Sequence, residues 1–225
     1  MTPSGPLLLA GGGHSHALLL KRWAMTPQLR PKRGVVLVNR HPTALYSGMV
    51  PGLIAGIYRR DELSINLPHL CDRAGVAFVQ AEIVGVDSQR QDLLLHQRPA
   101  LSFGVLSLDV GAVTRNLEHL SGVPIKPLEE ALQFLSQQDP EDPQPFRIVG
   151  AGPAGIEVAL ALRRRWPHRA LELQIRAGQL NATTKSILRR AQIHCVTDAS
   201  THASLLCTGS RAPSWLANSV FAVDH

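Results

Sequence analysis

FRIVGAGPAGIEVALALRRR, residues 146–165, places Gly150, Gly152 and Gly155 at G-x-G-x-x-G spacing between a short apolar run and an unbroken run of helix formers. The pattern predicts a strand, a tight turn and a helix. Each glycine has its own reason. The first permits the sharp turn, the second lets a pyrophosphate approach the backbone, and the third lets the helix pack on its strand. An anion then sits on the helix N-terminus, where free N–H groups and the macrodipole favour it. Pro153 and Ala154, inside the loop, are counted with the glycines as cofactor-binding. The stretch points to a bound dinucleotide, with a plain glycine turn in a βα unit as the alternative.

PLLLAGGGHSHALLL, residues 6–20, repeats this arrangement near the N-terminus. Gly11 and Gly13 match the first two glycines, with Gly12, His14 and Ser15 around them, and His16 takes the third position. A side chain there pushes the helix away from its strand unless the local geometry has adapted. His14 and His16 also read as a weak metal pair, with no third ligand nearby. The β-branched run 34–38 is the second parallel strand, and Asn39 and Arg40 follow it. Asn39 stands where a carboxylate ordinarily holds a ribose hydroxyl, and it can hydrogen-bond one without charge assistance.

Residues 44–56, ALYSGMVPGLIAG, are rich in small residues and suit close approach to a planar ligand. A helix is expected over 61–74 with Asp61 as its N-cap, followed by strand or hairpin material at 76–79, 81–86, 93–95 and 101–108. That last run leads into Asp109 and Gly111. A helix over 127–136 precedes QQDPEDPQP, whose Pro140, Pro143 and Pro145 make it the best linker in the chain. Beyond residue 165, a strand over 171–175 ends at Arg176, a residue type that accommodates a 2′-phosphate where an acidic residue would select NAD. A solvated charge at a strand end is the other reading of Arg176. Residues 187–190 read as helix, 193–196 and 205–208 as strands, and Thr208 and Gly209 close the last of them.

The composition fits a globular chain large enough for a proper core: 225 residues, 44% hydrophobic and 18% charged. A formal charge of +6 suits anionic ligands such as phosphates. The basic residues are dispersed, aromatics are 4%, and no nucleic-acid motif appears, so no nucleic acid partner is expected. Cys71, Cys195 and Cys207 never form C-x-x-C and read as structural thiols of a reducing cytosol. The apolar start is broken by glycines and histidines, which excludes a membrane span there. The expectation is a cytoplasmic protein without a transmembrane segment.

Taken together, the two glycine loops, the small-residue segment between them and the Thr208-Gly209-x-x-x-Pro213 element resemble the pyridine nucleotide-disulfide oxidoreductase superfamily. More narrowly, GGGHSH at 11–16, YSGMVPG at 46–52 and LSLDVG at 106–111 are similar to the flavoprotein domain fused to selenide, water dikinase in some bacteria, itself related to type II NADH dehydrogenases. The resemblance implies an α/β fold of two Rossmann-like, three-layer units with parallel sheets, the first incomplete at the C-terminus. It implies FAD in the first unit and NAD(P)H in the second, and hydride transfer onward to a small-molecule electron acceptor such as a quinone, a small oxidant or a selenium species. A selenide, water dikinase domain is the implied partner.

In that resemblance Gly11 and Gly13 hold the FAD pyrophosphate, Asn39 and Arg40 lie near the adenosine ribose, and the backbone around Ile83 meets the adenine. Tyr46, Ser47, Gly48 and Pro51 lie near the isoalloxazine, and Asp109 with Gly111 closes the flavin side. Gly150, Gly152 and Gly155 hold the nicotinamide cofactor, and Glu157 sits two positions later, as in many members. No catalytic acid or base is assigned. The expected division is 1–112 for FAD, 113–145 as connecting helix and linker, and 146–225 for NAD(P). The family's closing Gly-Asp segment has no counterpart before Val223, Asp224 and His225, and the family's interface domain has none either. Residues 177–205 leave little room for the usual β meander. A truncated, non-catalytic dinucleotide-binding module is therefore the alternative.

Overall fold

A computed structural model describes residues 4–115, 120–198 and 202–217; the chain-end positions Val223, Asp224 and His225 lie outside the described residues. The chain forms two compact units that interleave in sequence. The first comprises Met1–Tyr46, Ser64–Gly111 and Ala212–His225; the second comprises Ser47–Leu63 and Ala112–Arg211. The sequence reading divides the chain after 112 and after 145; in the structure Ser47–Leu63 packs with Ala112–Arg211. No helix among the described residues is long and apolar enough to cross a membrane.

In the first unit, four parallel strands run in the order Ala77–Gln80, Val35–Asn39, Leu7–Ala10, Val105–Leu108. Parallel pairing needs crossovers, and those crossovers cover the faces of the sheet. The helices His14–Met25 and Leu67–Ala74 bury Leu20, Trp23, Leu67 and Cys71 against Leu9, Val35 and Leu37 on one face. A three-stranded antiparallel meander, Ile83–Asp87, Asp92–Leu95 and Arg98–Ser102, covers the other, where Leu93 and Leu95 meet Leu8, Ala10 and Val38.

The second unit repeats the strand order. Ile193–Val196, Leu171–Gln174, Phe146–Val149 and His202–Leu206 lie side by side in parallel, and Ser121–Pro124 adds a fifth strand. Side chains alternate between the two faces of a strand. One face is therefore apolar, with Phe146, Ile148, Leu171, Leu173 and Ile193 all buried. The opposite face differs from its counterpart in the first unit. Counting back from the first glycine of each loop, Leu8 corresponds to Arg147, and its sheet neighbour Val36 to Glu172. Arg147 bridges Glu172 at 2.6 Å and Asp198 at 2.9 Å. No meander lies between Ile193–Val196 and His202–Leu206 among the described residues, as the short spacing implied. The face that a meander covers in one unit thus carries ion-paired groups in the other, where each charge is matched by an opposite one.

Several boundaries differ from the sequence reading. The helix expected over 61–74 begins at Leu67, after a 3₁₀ turn Arg60–Leu63 and a strand Ser64–Asn66. Asn66, not Asp61, caps it: Oδ1 accepts the His69 N–H at 3.0 Å. Pro68 explains this, since proline is tolerated in a first turn and breaks a helix interior. The helix expected at 187–190 starts earlier, at Ala182, because Asn181 caps it through the Thr184 N–H. The run 101–108 divides between the meander and the main sheet at Gly104, where a Cβ would collide with the Ser4 carbonyl.

The proline-rich segment is fastened to the second unit by a buried arginine. Arg169, 5% exposed, lies 5.2 Å from the Phe146 ring centre and 5.1 Å from that of Trp166. It donates to the Asp139 carbonyl at 2.8 Å and to the Asp142 carboxylate at 2.9 Å. Stacking and charge-assisted hydrogen bonds both favour the guanidinium here. Arg169→Met is expected to lower unfolding stability by about 1–3 kcal/mol in urea titration, and Arg164→Met, at an exposed position, to leave it unchanged.

Candidate functional site

Both glycine loops are built by one device. Gly11 has φ +93° and Gly150 has φ +106°, in the left-handed region where side chains are strained. Each also presses against the chain leaving a neighbouring parallel strand, Val105–Leu108 or His202–Leu206, called the fourth strand of its unit: a Cβ on Gly11 would strike the Asp109 carbonyl, and one on Gly150 the Cys207 carbonyl. Matching hydrogen bonds fix both approaches. Asp109 N–H donates to Ala10 O at 2.8 Å, and Cys207 N–H donates to Val149 O at 2.7 Å. Gly111 and Gly209 follow at corresponding places, with φ +70° and +97°. The Thr208 hydroxyl donates to the Arg115 carbonyl and ties this closing loop to its neighbour.

The third motif position is solved in two ways. At Gly155 a Cβ would run into the Gly150 carbonyl, so glycine is required for the helix Pro153–Arg165 to pack. In the first loop His16 engages the equivalent carbonyl directly. It is 2% exposed, with Nδ1 2.6 Å from Gly11 O and Nε2 2.9 Å from Ser107 Oγ. A carbonyl only accepts, so Nδ1 carries a proton, and Nε2 shares a hydrogen bond with the serine hydroxyl. His16 is thereby a structural strut of the loop. His14 turns elsewhere, its ring 4.4 Å from that of Tyr46, so the two histidines do not converge on a metal.

Asn39 braces the first loop from the second strand. Its Oδ1 accepts the Gly12 N–H at 2.8 Å and its Nδ2 donates to the His41 carbonyl at 2.8 Å. These two bonds use half of the amide's hydrogen-bonding capacity. Arg40 is exposed just beyond. Asp109 adds a carboxylate to the loop: its Oδ2 accepts the His16 N–H at 3.1 Å. Ile83 pairs with Leu95 in the meander and packs into the core. Tyr46 is 41% exposed and belongs to the first unit, whereas Ser47, Gly48 and Pro51 belong to the second, where the helix Val50–Ile54 packs on Pro153–Arg165.

The second loop is the more open of the two. The N-cap residue of the helix Pro153–Arg165 is a glycine and supplies no side-chain cap, and a Cβ added at Gly152 would meet nothing within 4 Å. Ala154 begins the exposed first turn, and Glu157 is exposed one turn on. Arg176 follows the second strand with its side chain exposed, and its backbone N–H donates to Gln179 Oε1 at 2.9 Å. Sequence reasoning missed Ser107 and the partnership of Cys207 with Gly150. Superposing the two glycine loops in sequence and reading off the residues after the fourth strands would have paired Asp109 with Cys207.

These features define a pair of Rossmann-like α/β units with parallel sheets, each with a glycine loop at the carboxyl ends of its strands. No protein-family model matches the chain. It is 29% identical over 187 residues to the demethylphylloquinone reductase NdbB of Synechocystis sp., a match covering 75% of this chain and 46% of that protein. The chain thus spans less than half the length of this curated relative. Among solved structures, the fold is similar to reduced Bacillus anthracis CoADR-RHD, with a TM-score of 0.79 at 16% identity over 95% of this chain and 45% of that one. It is also similar to NADH:rubredoxin oxidoreductase from Clostridium acetobutylicum, with a TM-score of 0.76 at 15% identity over 98% of this chain and 62% of that one.

Two outcomes check this geometry. His16→Gly restores the glycine motif, yet it removes a buried, doubly bonded ring; chemical denaturation is expected to show a loss of about 2–4 kcal/mol. Burial pushes the Cys71 thiol up to about 11 and the Cys207 thiol up to about 12, and Cys195 is exposed. Iodoacetamide at pH 8 is expected to label Cys195 alone in the native protein and all three thiols after unfolding, read by intact mass.

Proposed function

We propose that this chain forms the dinucleotide-binding part of an FAD-dependent NAD(P)H oxidoreductase, with FAD on the first unit and NAD(P)H on the second, delivering electrons to a small-molecule acceptor of quinone type. The observation that carries this reading is the recurrence of one glycine loop and one strand order in both units. In an open α/β sheet, ligands bind outside the carboxyl ends of the strands, where these loops stand.

The residues present fit the two groups. At the second loop, the open space over Gly152 and the uncapped helix leave the first-turn amides to a diphosphate. The exposed position of Arg176 just past Leu171–Gln174 supports contact with the adenosine ribose or a 2′-phosphate. At the first loop, the backbone repeats the same turn, Asn39 retains capacity for a ribose, and Tyr46 stands beside His14 at the loop. When bound, the flavin and the nicotinamide supply the two-electron chemistry. The chain would hold the nicotinamide cofactor's diphosphate on the open first-turn N–H groups of the second loop, and would orient the riboses from the residues that follow Val35–Asn39 and Leu171–Gln174.

The acceptor class follows from the thiols and from the relative's name. Cys71, Cys195 and Cys207 are free and separate, and burial keeps Cys71 and Cys207 protonated. These thiols offer no dithiol relay, which favours an acceptor that meets the flavin directly. The similarity to a demethylphylloquinone reductase favours a quinone, and a selenium species keeps only the motif resemblance in its favour.

Purified protein tests the reading. Yellow colour, or uptake of added FAD, followed by bleaching with NADPH under anaerobic conditions is the expected result. Retained colour without bleaching reduces the chain to a binding module, and a colourless protein that takes up no FAD overturns the flavin assignment. Arg176→Glu is expected to weaken NADPH by about tenfold more than NADH, because a charged hydrogen bond is lost only with the 2′-phosphate; equal weakening removes Arg176 from cofactor selection.

A further inference from the structure

The two loops differ at one chemical point. Gly13 and Gly152 are the second glycines, the positions whose missing side chains let a diphosphate approach. Over Gly152 the space is open. Over Gly13 it is filled by the Asp109 carboxyl group, whose Oδ1, Cγ and Oδ2 are the nearest atoms to an added Cβ. The residue at the corresponding place in the second unit is Cys207, a buried thiol held protonated and therefore uncharged.

Asp109 does more than fill space. Its Oδ2 accepts the His16 N–H at 3.1 Å, its carbonyl accepts the Gly13 N–H at 3.2 Å, and Asn39 Oδ1 takes the Gly12 N–H. The helix His14–Met25 has no acidic residue in its own first turn and no side-chain cap from its N-cap residue. A carboxylate reaching in from the fourth strand thus satisfies the positive helix end that a phosphate would otherwise satisfy.

We propose that Asp109 is an intramolecular occupant of the anion position in the first glycine loop and sets flavin affinity by opposing the diphosphate. This inference rests on the flavin reading above and deepens it. In the free protein the carboxylate stabilises the loop; when a diphosphate arrives, like charges meet at the same helix end. The second loop, with neutral Cys207, carries no such opposition.

The test is an isosteric change, Asp109→Asn, which keeps an acceptor for the His16 N–H and removes the charge; Asp109→Ser serves as the second variant. FAD affinity of the flavin-free proteins is measured by fluorescence titration, and their stability by thermal unfolding. The expected result is FAD binding about tenfold tighter in the variant, with the gap narrowing at high salt, while the flavin-free variant unfolds at a lower temperature than wild type. A purely structural role moves affinity and stability down together. Equal or weaker FAD binding by both variants overturns the inference and leaves the flavin reading standing. FAD binding by the variants alone supports the inference in its strongest form. If neither wild type nor variants bind FAD, the flavin reading falls and takes the inference with it.

Discussion

The close approach of each glycine loop to the backbone leaving the fourth strand is the constraint on which the rest depends. At Gly11 the obstacle is the Asp109 carbonyl, at Gly150 the Cys207 carbonyl, and in both cases a positive φ and a blocked Cβ direction leave glycine as the only residue that fits. That approach joins the first and fourth strands at their carboxyl ends and aims the following helix at the space above the sheet. The helix end, the strand order and the candidate sites all follow from it.

Around this shared element the two units have diverged in ways physics accounts for. Where the meander covers the first sheet, the strand residues beneath it are Leu8, Ala10 and Val38. In the second unit the corresponding face bears Arg147 and Glu172, paired at 2.6 Å. The third motif glycine is kept at Gly155, where the Gly150 carbonyl leaves no room for a Cβ, and is exchanged for His16, whose ring bonds the equivalent carbonyl. A motif departure is thus compensated by a buried donor and acceptor, each satisfied, as a polar group in a dry loop requires.

Charge placement separates the two loops. The first loop is supplied with an internal carboxylate and an amide brace, and the second is left open beside an exposed arginine. Two loops with one backbone geometry therefore differ in electrostatics, and the difference lies in single side chains at strand ends.

The sequence by itself determined the elements whose signals are local. The strand Phe146–Val149, the loop and the helix Pro153–Arg165 were legible because branched residues, glycine spacing and helix formers each specify backbone conformation over a few positions. The first unit's loop was legible for the same reason, as was the absence of room for a second meander. Only the tertiary structure decided what depends on distant pairings. Asp109 and Gly13, Asn39 and Gly12, His16 and Ser107, and Arg169 with the proline-rich segment meet across long stretches of chain. The start of the helix at Leu67 and the placement of Ser47–Leu63 with the second unit likewise turn on packing partners. Local spacing fixes φ and periodicity, whereas which side chain faces which loop is set by strand order and register, and these exist only once the sheets have formed.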